Sequence, residues 1–156
     1  MEVSVSKAPH EAGGKELCDL EFPGDFAAKN TAINKVLALL SSRRTLDSTE
    51  AFRLRLCLDE SIQNAVDHSH LGDTTKRVAI SVYEMADGWD FVIRDQGAGF
   101  ESLKIPSLNE TGALLSEGGR GLIILQEYME SFRYHDGGRT LVLSWRKRPA
   151  PVSPPH

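Results

Sequence analysis

Hydrophobic and polar residues alternate in two rhythms along this chain, and the switches between them mark its elements. Residues 17–22 (Leu17-Cys18-Asp19-Leu20-Glu21-Phe22) read as a half-buried strand, ended by Pro23-Gly24. Asp25 stands where a helix N-cap belongs, ahead of a helix whose predicted apolar face is Phe26, Ile33, Leu37 and Leu40. Ser41-Ser42-Arg43-Arg44 closes it. Asp47 or Ser48 caps a second predicted helix, which runs to about His68 and turns Phe52, Leu54, Leu58, Ile62 and Ala65 to the core. Residues 78–83 and 89–94 read as strands joined by a turn at Ala86-Asp87-Gly88. A third helix follows over about residues 120–131. A last hairpin pairs residues 132–135 with 140–145 around Gly137-Gly138. This order predicts an α+β fold, a two-layer sandwich with a mixed, mostly antiparallel sheet and helices on one face.

Residues 1–15 are polar and Gly-bearing and read as a flexible leader. Residues 149–156 hold four of the seven prolines and read as a disordered tail, so a single domain is expected over 16–148. With 40% hydrophobic residues, 156 residues suffice for one core. The net charge of -4 speaks against nucleic acid or an anionic membrane as partner, and Arg146-Lys147-Arg148 is too short a basic run to change that. Cys18 and Cys57 stand far apart with no CxxC spacing, as free thiols of a reducing cytoplasm would. No signal-peptide pattern and no apolar run near the roughly 18 residues of a membrane span is visible, so a cytoplasmic location is expected.

Three clusters carry candidate chemistry. Glu60, Asn64 and His68 are spaced by four, which on a helix gives one polar stripe. A carboxylate there can accept a proton from an attacking hydroxyl, and an amide oxygen one turn on can ligate magnesium. Asp95-Gln96-Gly97-Ala98-Gly99-Phe100 follows a predicted strand. A carboxylate at a strand end can accept a hydrogen bond from the exocyclic amine of adenine, and the glycines permit close backbone approach. Gly118-Gly119-Arg120-Gly121-Leu122 opens the third helix, where unpaired N–H groups and the helix dipole favour an anion and Arg120 can add a charge. Taken singly, each cluster equally suits a solvated helix face, a Gly-rich turn or the loose start of a helix. The segment over 97–118 between the last two is long for a plain connection and reads as a functional loop.

As an ordered set the clusters resemble the GHKL (Bergerat-fold) ATPase superfamily, which includes histidine-kinase ATPase domains, gyrase B and MutL; the resemblance covers about residues 17–145. Glu60-x-x-x-Asn64-Ala65-x-x-His68 and Gly119-Arg120-Gly121-Leu122-Ile123-Ile124-Leu125 are similar to motifs of the bacterial anti-sigma serine kinases. That resemblance implies an ATP-dependent protein serine kinase, with magnesium, acting on a STAS-domain anti-anti-sigma partner and sequestering a sigma factor. It implies Glu60 as general base, Asn64 as magnesium ligand and Asp95 as adenine reader. Gly97 and Gly99 would allow close approach, and Gly119, Arg120, Gly121 and Leu122 would form the phosphate motif. His68 would lie near the nucleotide, beneath a lid over 101–117. Relatives are often dimers, so a homodimer is compatible with the resemblance.

No helix hairpin with a phospho-accepting histidine is visible, so a complete histidine kinase is not expected. His68 and His70 point about 200° apart on a helix, which disfavours a shared metal. His10, His135 and His156 support no site. Two other functions stay open on sequence: a nucleotide-modulated binding module with little turnover, and an ATP-binding piece serving a separate phospho-acceptor histidine protein.

Overall fold

The computed structural model describes residues 2–6, 14–69, 73–96, 102–104, 117–136 and 139–147; for 2–6, 68–69, 102–104, 117–120 and 122 it describes the backbone only. The elements in chain order are β1 (Glu2–Ser6), β2 (Lys15–Pro23), α1 (Phe26–Arg43), α2 (Ser48–Asn64), a π-helical turn (Ala65–Ser69), β3 (Arg77–Met85), β4 (Gly88–Asp95), β5 (Ser102–Lys104), α3 (Glu117–Tyr128), β6 (Ser131–His135) and β7 (Thr140–Arg146). One sheet runs in the order β2-β3-β4-β7-β6-β1-β5. Its pairings are antiparallel except β1 with β6, which is parallel. The α+β architecture is thus the one the element order predicts. The polar leader, read without a strand, contains β1, and the segment read as a loop contributes β5, the antiparallel partner of β1.

Local chemistry explains the helix starts. The Asp25 side chain accepts from the Ala28 N–H at 2.9 Å, capping α1. Asp47, rather than Ser48, caps α2, with Glu50 reaching back to the Asp47 N–H in a capping box. The buried faces differ from the predicted ones in two places. In α1 the buried residues are Lys29, Ala32, Ile33, Val36 and Leu40, while Phe26, in the first turn, is 74% exposed. In α2 they are Leu54, Cys57, Leu58, Ser61 and Ile62, and Phe52 is 62% exposed. Phe52 lies two residues before Leu54, so it points roughly 200° away around the helix. The third helix begins at Glu117, ahead of the predicted 120, so glycines that propensity assigned to a loop occupy its first turn.

Cross-strand register fixes which side chains share a face. Ile80 faces Ile93 and Leu141 faces Ile93; Val82 faces Phe91, and Phe91 faces Leu143. These residues, with Phe22, Val78, Trp89 and Trp145, form one buried cluster with Ile33, Val36, Leu40, Leu54, Leu58, Ile62 and Leu125 of the helices. All three helices therefore cover the same face of the sheet, α1 beside β2, α3 beside β6 and α2 between them.

Candidate functional site

The register also defines one end of the sheet. Pro23 of β2 pairs with Arg77 of β3, Val78 pairs with Asp95 of β4, and Arg94 and His135 both pair with Thr140 of β7. The C-terminus of α2 points to this end, because it leads into β3. So does the N-terminus of α3, because its C-terminus feeds β6 at the opposite end, where the Glu130 N–H donates to the Ser144 carbonyl at 2.9 Å.

Two of the three sequence clusters meet there. Gly121, the fifth residue of α3, is buried against α2: a Cβ at this position would lie 3.1 Å from Glu60 Oε2, 3.1 Å from Asn64 Nδ2 and 3.6 Å from Asn64 Oδ1. Ordinary van der Waals contacts of a methyl carbon are longer, at about 3.5–4.0 Å. Only glycine lets the helix start close onto the carboxylate and the amide without displacing them. The first turn of α3 brings backbone N–H groups that have no partner within the helix, and the positive end of its dipole, beside that pair.

The third cluster shares the end and the layer. Asp95 lies opposite Val78, which is fully buried in the helix-facing core, so Asp95 stands on the face that the helices cover. Its N–H donates to the Arg139 carbonyl at 2.9 Å, tying it to the β6–β7 hairpin. Tyr134 also lies near: burial raises its phenol above the ordinary range, and the Asp95 carboxylate adds to the rise. Packing connects this region to the end of α2. A Cβ on Gly24 would meet Val66 Cγ2 at 2.6 Å; the Gly24 N–H donates to the Thr74 and Lys76 carbonyls, and Gln96 Oε1 accepts from the Arg77 N–H at 2.9 Å.

Glu60 and Asn64 share regular α-helix, and the backbone of His68 belongs to the π-helical turn Ala65–Ser69 that follows. The side chains of His68, Arg120 and Leu122, and the whole of Gly97, Gly99, His70 and 105–116 of the predicted lid, lie outside the described residues, as does the tail. Gly119, Arg120 and Leu122 belong to α3 by their backbone. Among the described residues no group of three His, Cys, Asp or Glu side chains suits a metal ion, and no helix is long and apolar enough to cross a membrane. Cys57, one turn before Ser61, is fully buried; burial, then the nearby charge of Glu60, pushes its thiol up to about 12, so it stays protonated at neutral pH.

One residue beside the site was not legible from periodicity. Lys29 of α1 has a side chain only 6% exposed, and its Nζ lies 2.9 Å from Asp59 Oδ1. It also donates to Gln63 Oε1 at 2.9 Å, and Gln63 Nε2 in turn donates to Asp67 Oδ1 at 2.9 Å. The only sequence signal is a lysine one turn before Ile33 on an otherwise apolar stripe.

Comparison with known proteins agrees with this geometry. The histidine kinase-like ATPase domain family matches residues 22–145, from the end of β2 to β7. Serine-protein kinase RsbW of Bacillus licheniformis is 27% identical over 119 residues, which cover 72% of this chain and 74% of that protein. With a family match across most of its length, and with the motif helix, the strand-end carboxylate and the glycine-rich helix start gathered at one end of an α+β sandwich, the chain belongs to the histidine kinase-like (GHKL) ATPases.

Proposed function

We propose that this chain is an ATP-dependent protein serine kinase that phosphorylates a STAS-domain anti-anti-sigma partner in the cytoplasm and, in its other binding state, sequesters a sigma factor. The observation that carries the reading is the closure of Gly121 onto Glu60 and Asn64, 3.1 Å from each for an added Cβ. A carboxylate, an amide and the start of a helix then lie side by side, a donor set that suits a magnesium-bound triphosphate. The similarity to the serine-protein kinase RsbW supports the same chemistry.

In this reading Asn64 offers its amide oxygen to magnesium, which when bound neutralises phosphate charge. Glu60 accepts the proton of the incoming serine hydroxyl, a role worth about 10²–10⁴-fold in rate. Asp95, held by its backbone bond to Arg139, accepts from the exocyclic amine of adenine. Gly97 and Gly99 admit the base closely. Gly119 presents its N–H to phosphate, Gly121 lets the helix close on Glu60 and Asn64, Arg120 adds a guanidinium, and Leu122 continues the helix behind them. His68 lies beside the nucleotide, and residues 101–117 cover it. A homodimer belongs to the same reading.

The test combines radiolabelled ATP, magnesium and a STAS-domain acceptor protein. Wild type is expected to yield acid-stable phosphoserine. Glu60→Gln keeps nucleotide binding and loses at least about 100-fold in transfer. Asp95→Asn weakens nucleotide binding itself. Equal transfer by Glu60→Gln rejects the base, acid-labile label points to a histidine acceptor, and partner capture without transfer by wild type points to a binding module.

A further inference from the structure

Asp59 and Gln63 are the residues immediately before Glu60 and Asn64, so α2 carries two polar pairs, each spanning one turn and set about 100° apart around the axis. One pair faces α3, where Gly121 meets Glu60 and Asn64. The other faces α1, where the single ammonium of Lys29 lies 2.9 Å from Asp59 and 2.9 Å from Gln63. We infer that Lys29 is a positioning residue for phosphotransfer, setting the axial rotation of α2 and so the placement of both Glu60 and Asn64.

The inference rests on the base and magnesium roles proposed above, and the geometry explains why a lysine serves. Apolar contacts between helices are non-directional and permit small rotations. Two charge-assisted hydrogen bonds from one buried donor to successive turns do not. Gln63 extends the tie to Asp67, into the π-helical turn that follows Asn64. On the face about 100° away, Gly121 of α3 approaches Glu60 and Asn64 so closely that an added Cβ would lie 3.1 Å from each. Turning α2 by about 10° moves an atom roughly 6 Å from its axis by about 1 Å. A displacement of about 1 Å can cost on the order of 100-fold in rate. Packing alone does not call for lysine here: Ala32, Ile33, Val36 and Leu40 on the same stripe are small or apolar, and lysine is rarely buried unless its charge is paired.

The experiment compares wild type, Lys29→Met, Lys29→Arg, Asp59→Asn and Glu60→Gln by three readouts: ADP affinity in EDTA, the gain in ATP affinity on adding magnesium, and single-turnover transfer from labelled ATP to the serine of the STAS-domain acceptor. ADP without metal reports the adenine side of the site, which Lys29 does not touch. Lys29→Met is expected to hold that affinity within about twofold, lose most of the magnesium-dependent gain and slow turnover by about 100-fold. Lys29→Arg recovers most of the loss, and Asp59→Asn shifts the same two readouts by a smaller factor. If Lys29→Met does not melt cooperatively, Asp59→Asn, whose altered side chain is 39% exposed, is read in its place.

Wild-type turnover by the folded variant overturns the inference, and so does a parallel loss of metal-free ADP affinity, which marks a merely structural role. Glu60→Gln separates the two layers of argument. If it turns over like wild type, the base assignment falls and this inference with it. If it is inactive while Lys29→Met matches wild type, only the positioning role falls.

Discussion

The two ends of the sheet differ in what faces their most buried carboxylates and amides. At the end remote from the site, β3 and β4 reverse through Ala86-Asp87, and charges are matched to charges. Arg43 donates to both carboxylate oxygens of Glu84, at 2.9 and 2.6 Å. Arg146 lies 2.9 Å from Asp90 and 3.2 Å from Asp87. Arg44 donates to the Met85 and Ala86 carbonyls and lies 5.5 Å from the ring of Trp89, which stacks on Trp145. At the other end, the carboxylate of Glu60 and the amide of Asn64 meet a glycine. At the remote end arginines hold the carboxylates, whereas at the other end a missing side chain leaves room beside the carboxylate and amide that we propose serve a ligand.

That contrast can be broken from either side. The largest effect on stability is expected from Arg146→Met, which removes an arginine from Asp90, a carboxylate with a side chain 3% exposed. A loss of about 3 kcal/mol, a melting-temperature drop of roughly 6–12 °C, is expected, with nucleotide affinity unchanged. An Arg146→Met protein that melts like wild type contradicts the assignment of that end to stability. Gly121→Val comes next: overpacking against α2 costs about 2 kcal/mol, and magnesium-dependent ATP binding is lost. Calorimetry showing wild-type affinity for this variant ends the claim that the missing side chain makes the site.

Smaller effects sharpen the division. Asp47→Ala removes the capping box at the remote end of α2 and is expected to cost about 1 kcal/mol, with no change in turnover; a turnover change couples the far end to the site. The smallest effect concerns Glu84. Its hydrogen bond from Arg43 holds its carboxyl below the ordinary value, partly offset by burial and helped by the charges of Arg43 and Arg44. A group lowered in the folded state adds stability above its unfolded value, and that contribution disappears as pH falls through the lowered one. The melting difference between wild type and Glu84→Gln should therefore shrink steadily from about pH 6 to about pH 2. A difference that grows in acid contradicts the sign, and one unchanged by salt contradicts the exposure of the pair.

Much of this was legible in the chain itself. Strand alternation, the hairpin at Ala86-Asp87 and the caps at Asp25 and Asp47 act over a few residues, and each appears close to its predicted place. Glu60 and Asn64 stood out by their four-residue spacing, and Asp95 by its place at a strand end ahead of two glycines. Phe26 and Phe52 were misread because apolar character does not reveal whether another element covers a position.

The local sequence determined which segments become helices and strands, since hydrophobic period, caps and turns involve neighbours in the chain. Only the tertiary structure decided that Gly121 closes on Glu60 and Asn64, that Lys29 is buried between Asp59 and Gln63, and that the helix after Asn64 widens into a π turn. The first two depend on contacts between residues distant in sequence, and no local pattern encodes the partner on the other side.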